Sequence, residues 1–61
     1  MNWFKIRYNK RSAKKYGWEP SWFGAIEFNS DLIENIKEFQ ELHDLKADGL
    51  CGPATYRRAY T

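Results

Sequence analysis

The feature that most constrains this chain is a short punctuated stretch near its end, Asp48-Gly49-Leu50-Cys51-Gly52-Pro53. Asp48-Gly49 is a turn signal: the Asp side chain bonds backbone just ahead, and Gly takes the positive φ. Gly52-Pro53 opens a helix, because proline is tolerated in the first turn, where its missing N–H has no partner to lose. Upstream, residues 32–43 carry the strongest helical pattern. Leu32, Ile33, Ile36, Phe39 and either Leu42 or His43 trace one apolar stripe, while Glu34, Lys37, Glu38 and Glu41 occupy the wet side. Asp31 with Glu34 three residues on reads as a capping-box start. Downstream, Ala54 to about Tyr60 makes a second, shorter helix with Thr55, Ala59 and Tyr56 inward and Arg57 and Arg58 in water. The second half of the chain is therefore a helix–loop–helix, with the loop over 44–52 anchored by Leu45 and Leu50.

With 61 residues there is room for one small domain, and a chain this short buries only about 60% of its unfolded surface. Its core must be dense, and an aromatic content of 18% supplies the bulk. A single Cys excludes an internal disulfide and a Cys-based zinc site, and a single His leaves too few soft ligands for a transition metal. No apolar run approaches the roughly 18 residues of a membrane helix. Lys5, Arg7, Lys10 and Arg11 interrupt any signal-peptide core, so synthesis in the cytoplasm without a signal peptide is expected.

The first half is less regular. Residues 3–8 alternate, with Phe4, Ile6 and Tyr8 on one side, which predicts a strand. Its only available partner is 25–28, so a short two-stranded β pair is expected there. Residues 10–16 suit a short helix with Asn9 as cap, Gly17 as a left-handed stop, and Ala13 and Tyr16 inward. Residues 17–24 hold two Gly, a Pro and three aromatic residues, a structured loop whose rings pack down. Charge is asymmetric. Residues 1–30 carry six basic and two acidic side chains, residues 31–61 four basic and six acidic. The positive half is suited to a polyanion: nucleic acid, a phosphate-rich wall polymer or acidic lipid.

Phe39-Gln40, Leu45, Asp48-Gly49 and Gly52-Pro53-Ala54-Thr55-Tyr56 stand in an order and spacing that resembles the peptidoglycan-binding domain attached to bacterial and phage cell-wall hydrolases. The resemblance covers residues 32–60. Tyr16-Gly17-Trp18 and Phe23-Gly24 look like remnants of the first copy of that family's doubled helix–loop–helix. The resemblance implies a mainly α, three-helix fold over residues 1–61 as a single domain. It implies a monomeric, non-catalytic module without cofactor or metal, which binds peptidoglycan at the bacterial cell wall and targets an attached hydrolase to it. The initiating Met and the end at Thr61 suggest the N-terminal module of a longer hydrolase, such as a phage endolysin.

The motif residues Phe39, Gln40, Leu45, Asp48, Gly49, Gly52, Pro53 and Thr55 are suited to building the fold: Gln40 to satisfying loop backbone, Gly52 to close approach, Thr55 to bonding back to the loop. Binding a glycan–peptide polymer calls for exposed rings for sugar faces and polar forks for acetamido and carboxylate groups. The candidates are Trp18, Trp22, Tyr56, Arg57 and Arg58, with core packing the competing reading for the two tryptophans. Cys51 and His43 do not make a nucleophile pair: Cys51 reads as a small buried hydrophobe and His43 as a helix-end residue. The alternative function is a small nucleic-acid-binding protein using the basic, aromatic first half; a third is a protein-interaction module in an envelope or phage assembly.

Overall fold

The computed structural model describes residues 3–60. Three α-helices, α1 (Trp3–Tyr16), α2 (Ser30–Leu42) and α3 (Pro53–Tyr60), are joined by a loop containing a 3-10 turn (Pro20–Phe23) and by the 43–52 loop. The fold is mainly α, and the described residues contain no strand.

The expected β pair is absent, and residues 3–8 form the first half of α1. The six-residue alternation misled because the helical face of α1 is not apolar. Asn9, Ser12, Ala13 and Tyr16 recur at i, i+3, i+4 and i+7, and the first three are buried. Two of them are polar, so a hydrophobic-period count misses the stripe. Asn9 accordingly lies in mid-helix rather than at a cap. The proposed partner segment holds no strand, and Ile26 is almost fully exposed. Gly17 ends α1 as expected, at φ 82°, its N–H donating to the Ala13 carbonyl at 2.8 Å.

Helix α2 begins two residues earlier than the Asp31 capping box implies. Asn29 is the N-cap, and its Oδ1 accepts from the Leu32 N–H at 3.1 Å. Asp31 sits in the first turn, where its charge complements the helix dipole. At the far end the chain turns through Asp44, whose φ of 61° is left-handed. The Leu45 N–H donates to the Gln40 carbonyl at 2.8 Å and the Asp44 N–H to Glu41 at 3.3 Å, a Schellman motif with Asp in the usual glycine place. The alternative between Leu42 and His43 resolves to His43. Leu42 is 84% exposed, whereas His43 lies with its ring centroid 4.2 Å from that of Phe39.

Ala13, Trp18, Phe23, Leu32, Ile36 and Cys51 form the buried core, with Phe28, Phe39, Tyr56 and Ala59 packed around it. Trp18 meets Phe23 edge-on at 5.4 Å, and Phe23 meets Phe39 the same way at 5.4 Å. Edge-to-face pairs of this kind add about 1 kcal/mol each beyond the area they bury. Asn35 ties the 3-10 turn to α2 by donating from Nδ2 to the Phe23 carbonyl at 2.9 Å.

Candidate functional site

The 43–52 loop is held by side chains from two helices. Gln40, 1% exposed, is the central fastener on α2. Its Oε1 accepts from the Gly49 N–H at 2.9 Å. Its Nε2 lies within donating distance of the Leu50 carbonyl (2.9 Å), Thr55 Oγ1 (3.0 Å) and Asp48 Oδ1 (3.1 Å). Two amide protons are thus shared among three acceptors, one of which belongs to α3. Asp48 Oδ1 also accepts from the Leu50 N–H at 2.9 Å, the local turn bond the Asp-Gly pair implies.

The second fastener comes from α1. Asn9, fully buried, donates from Nδ2 to the Gly49 carbonyl at 3.1 Å and accepts at Oδ1 from the Cys51 N–H at 2.9 Å. Ser12 Oγ donates to the Cys51 carbonyl and accepts from Trp18 Nε1 at 2.9 Å. Among the described residues no buried side-chain polar atom lacks a partner. Cys51 lies in this shell with no exposure, and burial pushes its thiol up from 9.0 to about 12, partly offset by its hydrogen bond with Ser12. A thiol held protonated and out of solvent is a packing group, not a nucleophile.

This frame fixes the surface on which the candidate ligand residues stand, and it separates them. Trp18 is 2% exposed, with its indole N–H bonded inward, so of its two readings, core packing and ligand contact, the geometry favours core packing. Trp22 and Tyr56 do come together. Their rings are nearly parallel, 14° apart in plane with centroids at 5.9 Å. Tyr16 stacks on Tyr56 as well, at 4.9 Å and 22°, making Tyr56 the middle ring of three. Tyr60, one turn along α3, leans on both Trp22 (6.3 Å) and Tyr56 (5.7 Å). Trp22 and Tyr60 are the exposed members, at 39% and 69%. Arg57 and Arg58 lie elsewhere on α3, beside Leu45 and Ala54, where they border a shallow depression of about 400 Å³. Arg58 Nε donates to His43 Nδ1 at 3.4 Å.

Tyr16 and Tyr60 were not among the sequence candidates. The signal for Tyr60 was its i, i+4 spacing from Tyr56, which puts both on one helix face; Tyr16 read as core. Beyond Tyr16 the aromatic row runs into a cleft of about 220 Å³ lined by Tyr8, Arg11, Ser12, Lys15 and Tyr16. The Lys15 ammonium stands 5.5 Å from the Tyr16 ring centroid, within cation–π range. The surface therefore offers flat rings at one end and fixed positive charge at the other. Among the described residues no group of three His, Cys, Asp or Glu is placed to hold a metal ion.

Comparison with known families decides what this frame is. The model of the family described as "Putative peptidoglycan binding domain" matches residues 14–58, most of the chain, including the whole of α2 and the 43–52 loop and all but the last two residues of α3. The chain belongs to this peptidoglycan-binding family. No curated protein and no solved structure matches it significantly. The family is a binding domain rather than a catalytic one. In this peptidoglycan-binding domain the motif residues Gln40, Asp48, Gly49 and Thr55 face one another across the loop. They are engaged in holding the fold.

Proposed function

We propose that this domain is a non-catalytic targeting module that holds an attached peptidoglycan hydrolase on the bacterial cell wall, with Trp22 and Tyr60 as its sugar-stacking platform. The observation that carries the reading is the row of rings Tyr16–Tyr56–Trp22–Tyr60, exposed at Trp22 and Tyr60, in a domain of the peptidoglycan-binding family. Tyr56 is flanked by rings on both sides and keeps only its edge and hydroxyl for a ligand. Trp22 and Tyr60 retain open ring surface suited to the apolar face of an N-acetylated sugar. Arg11 and Lys15 supply charge-assisted donors for stem-peptide carboxylates. Arg57 and Arg58 form a second, more distant set of donors. Trp18 takes no part beyond support.

Contact through so few residues gives weak binding on its own. Its value lies in tethering: a catalytic domain on the same chain, an amidase, peptidase or muramidase, works at the high effective concentration that one weak anchor secures. Phage endolysins are the parents that the motif resemblance favours. The test is a pull-down on purified sacculi at low salt, with the Trp22→Ala/Tyr60→Ala variant alongside. The wild-type chain is expected to sediment and the variant to bind at least about tenfold more weakly, as two lost stacking contacts imply. A wild-type domain that stays wholly in the supernatant overturns the proposal.

A further inference from the structure

Helix α1 carries Lys5, Arg7, Lys10, Arg11, Lys14 and Lys15 and no acidic residue. At about 100° per residue, Lys10, Lys14, Arg7, Arg11 and Lys15 follow one another around the side opposite Asn9. All five are exposed. On the same outer side, at the start of the helix, two large apolar rings are also exposed: Trp3 at 68% and Phe4 at 71%. Trp3, Phe4 and Arg7 together line an open depression. The aromatic pair and four of the six charges fall in residues 3–13, ahead of the segment that matches the peptidoglycan-binding family. The core and the loop frame use only the inner side of α1.

We propose that the outer face of α1 is a docking surface for an anionic lipid bilayer, with the basic side chains over the headgroups and Trp3 and Phe4 in the interface. Charge complementarity argues for the lipid surface: about 21 Å of helix presents positive charge only, in tiers one turn apart. The two rings at one end select a bilayer over a purely hydrophilic polyanion, since an interface rewards aromatic side chains and a hydrated phosphate polymer does not. The mode is adsorption flat on the surface; among the described residues no helix is long and apolar enough to cross a membrane. This surface lies apart from the Trp22–Tyr60 platform and shares with the proposed wall-binding surface only Arg11 and Lys15 at its edge, which the variants below leave in place.

The test is co-sedimentation of the 61-residue chain with vesicles made half of phosphatidylglycerol and half of phosphatidylcholine, against vesicles of phosphatidylcholine alone. Binding is expected to the anionic vesicles only and to weaken with salt. Arg7→Gln/Lys10→Gln/Lys14→Gln, all exposed positions away from the loop frame, is expected to lower affinity about 100-fold, at roughly fivefold per charge. Trp3→Ala/Phe4→Ala is expected to lower it at least about tenfold. Both variants should keep wild-type circular dichroism and wild-type binding to sacculi, so failure here is separate from failure of the wall-binding reading. Equal binding to neutral vesicles, no binding to anionic ones at low salt, or undiminished binding by either variant overturns the proposal. So does tighter binding to a single-stranded oligonucleotide or to soluble polyphosphate at the same salt, which would assign the face to a different polyanion.

Discussion

Replacing Gly49 with alanine isolates how tightly the loop frame is built. Gly49 has φ 77°, a left-handed conformation that costs an alanine about 1 kcal/mol or somewhat more. A Cβ placed there would lie 2.8 Å from Ile33 Cγ2 and 3.4 Å from both the Ile33 carbonyl oxygen and Lys37 Cγ. Ile33 is 2% exposed and cannot swing aside, so relief must come from shifting the loop or α2, an overpacking cost of about 1–3 kcal/mol. Shifting the loop also stretches the bonds of Gly49 to Gln40 and Asn9. The expected destabilisation is about 2–4 kcal/mol, against a total stability of roughly 3–9 kcal/mol for a domain of this size. Gly17→Ala is the internal control. Gly17 has nearly the same φ, 82°, but nothing lies within 4 Å of its Cβ position, so only the conformational part remains, about 1 kcal/mol. Urea denaturation followed by tryptophan fluorescence measures both, and each kcal/mol lowers Tm by about 4–8 °C. If the two variants lose the same stability, the close approach of loop and α2 is not a constraint and the reasoning fails.

Gln40→Glu replaces the donor that faces Asp48, the Leu50 carbonyl and Thr55 with a carboxylate oxygen, and is expected to destabilise by about 3 kcal/mol or more at neutral pH, read by the same denaturation assay. Asn9→Ala leaves the Gly49 carbonyl and Cys51 N–H without their partner and is expected to cost about 2 kcal/mol, whereas Lys10→Ala next to it should stay within about 0.5 kcal/mol. The Cys51 thiol is raised from 9.0 to about 12 in the folded state, so above pH 9 the unfolded chain binds fewer protons than the folded one. Stability contributed by the buried thiol is complete below pH 9 and falls by about 1.4 kcal/mol per pH unit as pH rises toward 12. A Cys51→Ala variant should lack this component in parallel denaturation series at pH 8 to 11, and identical slopes for the two proteins would refute it.

The second half of the chain was legible because its constraints are written in residues with narrow uses. Gly49 must be left-handed, Pro53 must begin a helix, and Gln40 can reach the loop only from the last full turn of α2. The first half was not, for a specific physical reason. Helix α1 turns a polar stripe inward, and Asn9 and Ser12 are buried for their hydrogen bonds rather than for transfer from water. Little local marks them: the Trp18 indole that bonds Ser12 is six residues on, but the loop groups that both residues fasten lie 39 to 42 residues away in sequence. Of the candidate site, the pairing of Trp22 with Tyr56 follows no local rule either; it exists because the 3-10 turn and α3 both pack on α2 and the core. Trp18 shows the converse: a ring that chemistry suits to sugars is claimed by the core.

Asn9 and Ser12 fasten the motif loop from outside the stretch that defines the family, which begins at residue 14. The boundary of recognisable ancestry and the boundary of the self-sufficient folding unit therefore do not coincide. A fusion protein trimmed to the recognisable segment would inherit every signature residue, yet strand the Gly49 carbonyl and the Cys51 amide inside the protein with nothing to satisfy them. Anyone fusing this domain to an enzyme should carry α1 along with it.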